Sequence, residues 1–228
     1  MRWLHPERGL MGPDSFIGLA EESGLIVPLG AWVLDEACRQ LAVWTHEFAL
    51  DEPFSVAVNL SARQLAQPDL VDQVGAALDR AGVPHDRIGL EITESVLMAE
   101  TTVEVVQALK SLGVRLSIDD FGTGYSSLGY LKRFPVDTVK VDRSFVDGLG
   151  TDPEDSAIVA AVVSLGRALG LSVVAEGVET ECQLDELVAL RCDQAQGFLF
   201  ARPCPAADFA EFLRTEGERL GRVRPRAS

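Results

Sequence analysis

Two adjacent aspartates, Asp119 and Asp120, end an apolar-alternating segment and lead into a glycine-rich stretch, "SIDDFGTGYSS". Neighbouring carboxylates repel each other and lose hydration when a strand end becomes buried, so each needs a compensating partner. That partner can be a metal ion, a phosphate-binding device or water. Its nature decides what chemistry this segment can perform.

Side chains that can bind a metal ion or a phosphate recur at the ends of six predicted strands, at intervals of 20 to 36 residues. They are Asn59, Glu91, Asp119, Lys140, Glu176 and Gln196. These intervals are close to the ~30 residues of one β-α unit. In a β/α barrel the active-site side chains come from the C-terminal ends of successive strands. A single polar strand end is usually a solvated turn residue, but six in succession predict one shared site.

Several oxygen-bearing side chains near these strand ends are the hard ligands that Mg²⁺ and Mn²⁺ prefer. They are Asn59, Glu91, Asp119 and Asp120. Two such ions ~3.5–4 Å apart can hold a phosphodiester, generate hydroxide and neutralise the leaving oxygen. Because Asp119 and Asp120 are adjacent, they could bridge or flank two ions. The pattern therefore favours metal-dependent phosphoryl chemistry.

Lys140 and Glu176 each have a chemical and a structural interpretation. Lys140 could place a cation beside the attacking water or the phosphate, or it could form a salt bridge with a neighbouring acid such as Asp142. Glu176 precedes Gly177, so it lies at a turn that another part of the backbone can approach closely. Alternatively, Glu176 is an acid at a helix start, where the helix dipole favours negative charge.

Two shorter motifs point to other enzyme classes and fail on their context. "DFG" is also found in protein kinases, but the H-R-D loop and the V-A-I-K strand that a kinase needs are missing from the sequence. "GTGYSS" begins like a G-x-G-x-x-G dinucleotide fingerprint, yet Ser127 replaces the third glycine. The acids before this stretch would also repel a pyrophosphate in the absence of metal.

Composition limits the classes of partner. The 228 residues carry a net charge of −15, which argues against a nucleic-acid polymer or an anionic membrane surface. The cysteines show no C-x-x-C spacing and the three histidines are far apart, which argues against zinc and favours reduced packing thiols. The longest apolar run, "AIVAAVV", is far shorter than a membrane helix, and the first residues lack a signal-peptide core. A cytoplasmic location follows as the expectation.

The elements that must position the polar residues alternate between helical and strand patterns. Strands are predicted over 54–62, 87–95, 114–120, 137–144, 172–178 and 194–200. Helices are predicted over 27–48, 68–82, 100–113, 126–132, 153–170, 179–190 and 205–220. This alternation predicts an α/β fold with a parallel sheet covered by helices. We expect one domain over 1–215, followed by a frayed basic tail over 216–228.

Six motifs, in this order, resemble those of one family: "NLSARQL", "EITES", "SIDDFGTGYSSL", "VKVDRSFV", "VVAEGVET" and "QGFLFARP". Together they resemble the EAL-domain family of cyclic di-GMP phosphodiesterases, and the resemblance covers residues 2–209. It implies a TIM-like (β/α) barrel whose first strand runs antiparallel to the others. It also implies two-metal hydrolysis of cyclic di-GMP to linear pGpG with Mg²⁺ or Mn²⁺, in bacterial second-messenger signalling.

The resemblance assigns roles to individual positions. It implies that the metal ligands are Asn59, Glu91, Asp119 and Asp120. It makes Lys140 the water-contacting lysine and Glu176 the glutamate beside the metals, with Asp120 shared between metal binding and catalysis. It places Arg2, Asp142 and Gln196 at the substrate. Glu94 would hold the glycine-rich loop after Asp120, a loop that the resemblance links to homodimerisation and metal occupancy.

The start of the chain departs from the family pattern. Met1 stands directly before Arg2, so the glutamate of E-A-L, a metal ligand in the family, would fall before the first residue. We therefore expect six of eight barrel strands in this chain. Three explanations are open: a fragment of a longer protein, with a sensor or GGDEF domain upstream; a shortened relative that binds cyclic di-GMP or a protein partner without catalysis; or a barrel that partner chains complete. The activity of this chain is correspondingly open.

Overall fold

The computed structural model describes residues 1–50, 54–97, 102–123, 131, 133–219 and 223–225. Its centre is a six-stranded sheet in which neighbouring strands follow the chain order and all run parallel. The strands are β4 (Val56–Leu60), β5 (Ile88–Thr93), β6 (Arg115–Phe121), β7 (Thr138–Val141), β8 (Ser172–Glu176) and β9 (Gln194–Gln196). The curled sheet forms part of a TIM-like barrel, as the sequence predicts.

Helices connect and cover these strands, which is the arrangement that parallel pairing requires. In the described residues they are α1 (Ile17–Ser23), α2 (Ile26–Glu47), α3 (Ala62–Leu65), α4 (Leu70–Ala81), α5 (Glu94–Leu97), α6 (Thr102–Ser111), α7 (Arg143–Val146), α8 (Pro153–Leu169), α9 (Glu181–Leu190) and α10 (Ala206–Arg219). Short 3-10 turns occupy Pro13–Ser15 and His85–Arg87.

The core lies between the sheet and its helical cover. Helix α4 shows why: Leu70, Val74, Ala77 and Leu78 recur at helical spacing and are all buried. The helix ends at Gly82, whose left-handed backbone satisfies the last turn. Strand β5 is buried on both faces over most of its length, as expected for a parallel strand.

Two aspartates fix the register at the N-terminal ends of the strands. Asp137 directly precedes β7 and its Oδ2 accepts the N–H of Leu116 at 2.8 Å. Asp193 directly precedes β9 and its Oδ2 accepts the N–H of Val173 at 2.9 Å. A one-residue slip would turn every side chain of a strand to the opposite face, so these contacts help to keep the polar strand ends together.

Several short features were not predicted from the sequence, among them the one-turn helices α3, α5 and α7. Strands β1 (Trp3–His5) and β2 (Gly9–Met11) form an antiparallel hairpin, and α1 follows it. Strand β3 (Phe48–Leu50) pairs antiparallel with β10 (Val223–Pro225). The basic tail, expected to be frayed, thus includes one paired segment.

The strands predicted over 54–62, 87–95, 137–144 and 172–178 are too long by two to four residues, and in three of them the last one or two residues begin the helices α3, α5 and α7. The strand predicted over 194–200 is also too long. It ends at Gln196 because Gly197 lies against the backbone of Val178, where an added Cβ would be 2.1 Å from the carbonyl oxygen. The N–H of Phe200 then donates to Gly197 O, which closes a turn. The helix predicted over 126–132 falls largely outside the described residues. Among the residues described, no helix is long and apolar enough to cross a membrane.

Candidate active site

The side chain of Lys140 lies at the centre of a buried acidic cluster. Its Nζ is 2.6 Å from Glu176 Oε1, 2.8 Å from Glu91 Oε2 and 2.9 Å from Asp119 Oδ1. Only 6% of the lysine side chain is exposed. An ammonium group has three N–H donors, and three carboxylate oxygens lie within reach of this one. The structure thus brings together four of the six polar strand ends predicted from the sequence.

The sheet explains how side chains from four strands can meet. Glu91, Asp119, Lys140 and Glu176 lie on β5, β6, β7 and β8, toward the C-terminal ends of these strands. Adjacent strands are about 4.8 Å apart, so Lys140 reaches Glu91 across two strands only because the sheet curls and the lysine stem is long. The alternative pairing of Lys140 with Asp142 is not the one in the structure.

Asp120 has a left-handed backbone, with a φ of 53°. The pairing of β6 with β7 shifts between Ile118 and Phe121, so the two aspartates occupy a bulge. In a regular strand Asp119 and Asp120 would point to opposite faces. The bulge instead lets both carboxylates approach Glu176: one oxygen from each of the three residues lies within 4.8 Å of the others. A sequence pattern predicts only that side chains alternate between the two faces of a strand, so it does not predict that both carboxylates approach Glu176.

The donor set fits a divalent cation. Glu91, Asp119, Asp120 and Glu176 supply four carboxylates against the single ammonium of Lys140, and carboxylate oxygens suit Mg²⁺ and Mn²⁺. Asp119 Oδ1 is buried and accepts no well-aligned hydrogen bond within the described part of the chain, although Lys140 is 2.9 Å away. An acceptor of this kind has a lone pair available for a cation.

Burial and mutual repulsion shift the pKa values of the cluster. Burial raises the pKa of Glu91 and of Glu176, and Lys140 offsets this only in part. Burial also raises the pKa of Asp120, and repulsion from Asp119 and Asp142 adds to the effect. Burial alone would lower the pKa of Lys140, but the surrounding carboxylates outweigh it and raise that pKa. These carboxylates therefore favour a proton or a cation more strongly than exposed carboxylates do.

Glu94 connects the strand carrying Glu91 to the segment after Asp120. Its carboxylate is buried, and Glu94 Oε2 accepts the N–H of Gly122 at 3.0 Å. Gly122 has a φ of 101°, and an added Cβ would lie 2.9 Å from the Phe145 ring. The contact is at the position where the sequence predicts a tether for the glycine-rich loop. Residues 124–130 of that loop lie outside the described part.

The remaining predicted site residues are placed around the cluster. Asn59 is exposed on β4 and pairs with Glu91 across the strands, whereas Gln196 is exposed on β9 and pairs with Glu176. Asp142 caps α7 by accepting the N–H of Ser144 at 3.0 Å. Arg2 lies at the exposed start of the chain, with its guanidinium beside Gly12.

Glu176 ends β8, as the sequence predicts, and its alternative interpretation as a helix start is wrong, because α9 starts after the N-cap Thr180. One contact of the site was only hinted at by the sequence. The side chain of Arg143 lies over Gly177, the glycine that follows Glu176. In the sequence, the only sign of the contact between Arg143 and Gly177 was that this glycine follows Glu176.

Comparison with known proteins finds a matching family model and similar proteins for this chain. The family model described as EAL domain matches residues 1–203. The bifunctional diguanylate cyclase/cyclic di-GMP phosphodiesterase MucR of Pseudomonas aeruginosa is 51% identical over 208 residues, which are 90% of this chain and 30% of MucR. The chain thus spans less than a third of the length of that relative.

Solved structures show the same fold. The PaMucR phosphodiesterase in complex with c-di-GMP matches with a TM-score of 0.86 and 49% identity, covering 91% of this chain and 84% of the solved one. Klebsiella pneumoniae BlrP1, solved as a manganese/cy-diGMP complex, matches with a TM-score of 0.72 and 33% identity, covering 85% of this chain and 48% of that one.

Proposed function

Because this chain belongs to the EAL domain family, we propose that it is a metal-dependent phosphodiesterase that hydrolyses cyclic di-GMP to linear pGpG. The observation that carries the proposal is the buried Lys140, surrounded by the carboxylates of Glu91, Asp119 and Glu176 at the C-terminal ends of parallel strands. This edge is where β/α barrels carry out chemistry. The relative MucR is named as a cyclic di-GMP phosphodiesterase, which supports the same reaction here.

Asp119, Asp120 and Glu176 would hold the divalent cation, because their oxygens already lie within 4.8 Å of one another. Glu91 and Asn59 are proposed as further ligands, since they are paired on the adjacent strands. Mg²⁺ and Mn²⁺ both suit this oxygen set. Bound divalent cations would supply charge stabilisation at the phosphodiester and ease deprotonation of water.

The side chains of the cluster have separate proposed roles. Lys140 would donate a hydrogen bond to the attacking water or to a phosphate oxygen. Three carboxylate oxygens lie within 2.9 Å of its Nζ in this structure, so a water or a phosphate must displace one of them to reach Lys140. Glu176 would orient the water and accept its proton.

Three residues are proposed to contact the substrate: Arg2, Asp142 and Gln196. The arginine would pair with a phosphate, which its planar donors match well. Further proposals concern the whole protein: a homodimer, an upstream sensor or GGDEF domain, and a cytoplasmic location. Light scattering of this chain, and fractionation of cells that express the full-length protein, would test them.

The test of the reaction is product analysis. Incubating the chain with cyclic di-GMP and Mg²⁺ or Mn²⁺ should yield pGpG, separated by liquid chromatography. Asp119→Ala should abolish the product. Asp35→Ala is the matched control, because Asp35 is exposed and pairs with Arg80 at 2.6 Å on the helical surface.

The outcomes separate the two functional classes. Product that depends on Asp119 and on added cation establishes the phosphodiesterase. Binding of cyclic di-GMP without product would instead identify a non-catalytic binding module. Product that persists in Asp119→Ala would show that another protein in the preparation is responsible.

A further inference from the structure

We infer that Arg143 positions the Glu176 carboxylate by bracing the turn that follows β8. The inference rests on the proposed function, since it concerns the same carboxylate cluster. Arg143 opens α7 directly after the β7 segment, whereas Glu176 is the last residue of β8. The side chain of Arg143 therefore crosses from one strand connection to the next.

The aliphatic part of Arg143 packs on Gly177. A Cβ added to Gly177 would lie 2.4 Å from Arg143 Cγ, 2.8 Å from its Cβ and 2.9 Å from its Cδ. Gly177 also has a φ of 75°, a conformation that favours glycine. The arginine stem thus occupies the space that a side chain at position 177 would need, directly beside Glu176.

The guanidinium of Arg143 binds the far end of the same turn. Its Nη2 is 3.0 Å from Glu179 Oε1, and its Nε is 3.2 Å from Asp147 Oδ1. From the other side, the N–H of Glu179 donates to Gln183 Oε1 at 2.8 Å. The segment 177–179 is consequently held at its start by the arginine stem and at its end by two polar contacts.

This arrangement adds a side-chain attachment between the segments carrying Lys140 and Glu176, whose strands β7 and β8 are already paired. Inside the cluster the two side chains are joined by the ion pair at 2.6 Å. One ion pair allows the carboxylate to rotate and shift, whereas a second attachment three residues after Lys140 restricts the turn as a whole. Misplacement of a reacting group by about 1 Å can cost about a hundredfold in rate.

The test uses the full chain with Arg143 replaced in three ways. Arg143→Ala removes stem and charge, Arg143→Met keeps most of the stem, and Arg143→Lys keeps stem and charge. Arg39→Ala is the matched control, because Arg39 is an exposed arginine on α2 that pairs with Glu36. Mn²⁺ affinity is measured by calorimetry, and kcat and KM for cyclic di-GMP are measured separately.

We expect Arg143→Ala to weaken Mn²⁺ binding and to lower kcat by about tenfold each, with KM changed less than about twofold. The loss should be smaller for Arg143→Met and smallest for Arg143→Lys. The melting temperature of Arg143→Ala should match that of Arg39→Ala. If the Mn²⁺ affinity and the kcat of Arg143→Ala stay within about twofold of the wild-type values, the inference is overturned. An equal loss of both in Arg39→Ala would also overturn it.

A double-mutant cycle tests the packing itself. Gly177→Ala should displace the arginine stem and weaken Mn²⁺ binding, whereas adding Arg143→Ala removes the overlap. The double variant should therefore lose less than the two single variants combined, and additive losses would contradict the inference.

The inference and the proposed function can fail separately. A wild-type chain that makes no pGpG, but whose Mn²⁺ affinity falls in Arg143→Ala, would refute the phosphodiesterase and support the positioning role. A wild-type chain without Mn²⁺ binding and without product would overturn both.

Discussion

Lys140 Nζ lies 2.6 Å from Glu176 Oε1, although the two residues are not paired in the strand register. Lys140 pairs with Val174, two residues before Glu176. Side chains two residues apart lie on the same face of a strand, so Glu176 follows Val174 on the face that Lys140 shares. The long lysine stem spans this offset and carries the ammonium to the C-terminal edge of the sheet.

Replacing Lys140 by methionine should destabilise the cation-free chain by about 3 kcal/mol at neutral pH. The change leaves Glu91, Asp119 and Glu176 buried without their shared counter-charge. Added Mn²⁺ should recover part of the loss, because it supplies positive charge at the same place. Urea unfolding with and without Mn²⁺ measures both effects.

The control for this variant is Lys110→Met. Lys110 pairs with Asp137 at 2.6 Å, but both side chains are about a third exposed, so its loss should cost about 1 kcal/mol or less. Equal losses in the two lysine variants would show that the cluster is not electrostatically coupled to folding.

Stabilisation of the chain by Mn²⁺ should grow as pH rises. Glu91, Asp120 and Glu176 have raised pKa values, so protons compete with the cation up to a higher pH than at ordinary carboxylates. Without the cation, the stability of the chain should instead fall as pH rises. A folded-state pKa above the unfolded value gives stability that is complete below the unfolded pKa and is lost as pH rises through the folded one.

Thermal unfolding between about pH 5 and about pH 8, with and without Mn²⁺, measures this dependence. Glu91→Gln removes one of the three titrating carboxyls and should flatten both curves. A Mn²⁺ effect that is constant over this range would contradict the raised pKa values.

Asp120→Gly should yield a cation-free chain that is more stable than Asp120→Ala by about 1 kcal/mol. Both variants remove the repulsion with Asp119, but alanine keeps the unfavourable left-handed backbone at φ 53° while glycine adopts it freely. Neither should bind Mn²⁺ normally. The free energies of unfolding of the two variants, measured by chemical denaturation, separate the backbone effect from the charge effect. Equal free energies for Asp120→Gly and Asp120→Ala would mean that the bulge relaxes in the variants.

Glu94→Ala should weaken Mn²⁺ binding by about tenfold. It leaves the N–H of Gly122 without its acceptor at 3.0 Å and loosens the segment that follows Asp120. Glu94→Gln keeps an acceptor oxygen and should lose less. Calorimetry on both variants is the measurement, and an unchanged affinity in Glu94→Ala would remove Glu94 from the support of the metal site.

Strands β5 to β8 were predictable because each is a largely buried, mostly apolar run between helical patterns, whereas β9 is the exposed segment Gln194–Gln196, and its prediction rested on the apolar residues that follow it. Glu91, Asp119 and Glu176 were found for the same reason, since a polar side chain at the end of such a run stands out. The hairpin of β1 and β2 and the pairing of β3 with β10 were missed. Segments of three residues carry too little periodicity, and the second pairing joins distant parts of the chain.

The identities of the site residues were easier to predict than the distances and orientations between them. The partners of Lys140 depend on how far the sheet curls, and the approach of Asp119 and Asp120 depends on a bulge. Neither is a property of a local sequence pattern. The excess length of the strand predicted over 194–200 has a related cause, because Gly197 stops it through contact with Val178 rather than through its own propensity.

The left-handed backbone of Asp120 also bears on how such a site can change during evolution. Aspartate, asparagine and glycine are the residues that accept this conformation most readily. A single nucleotide substitution converts an aspartate codon into one for asparagine or for glycine. Glutamate keeps the charge but lacks this conformational tolerance. The substitutions that best preserve the backbone at this position are therefore those that remove the charge, so a folded descendant without this carboxylate lies one mutation away.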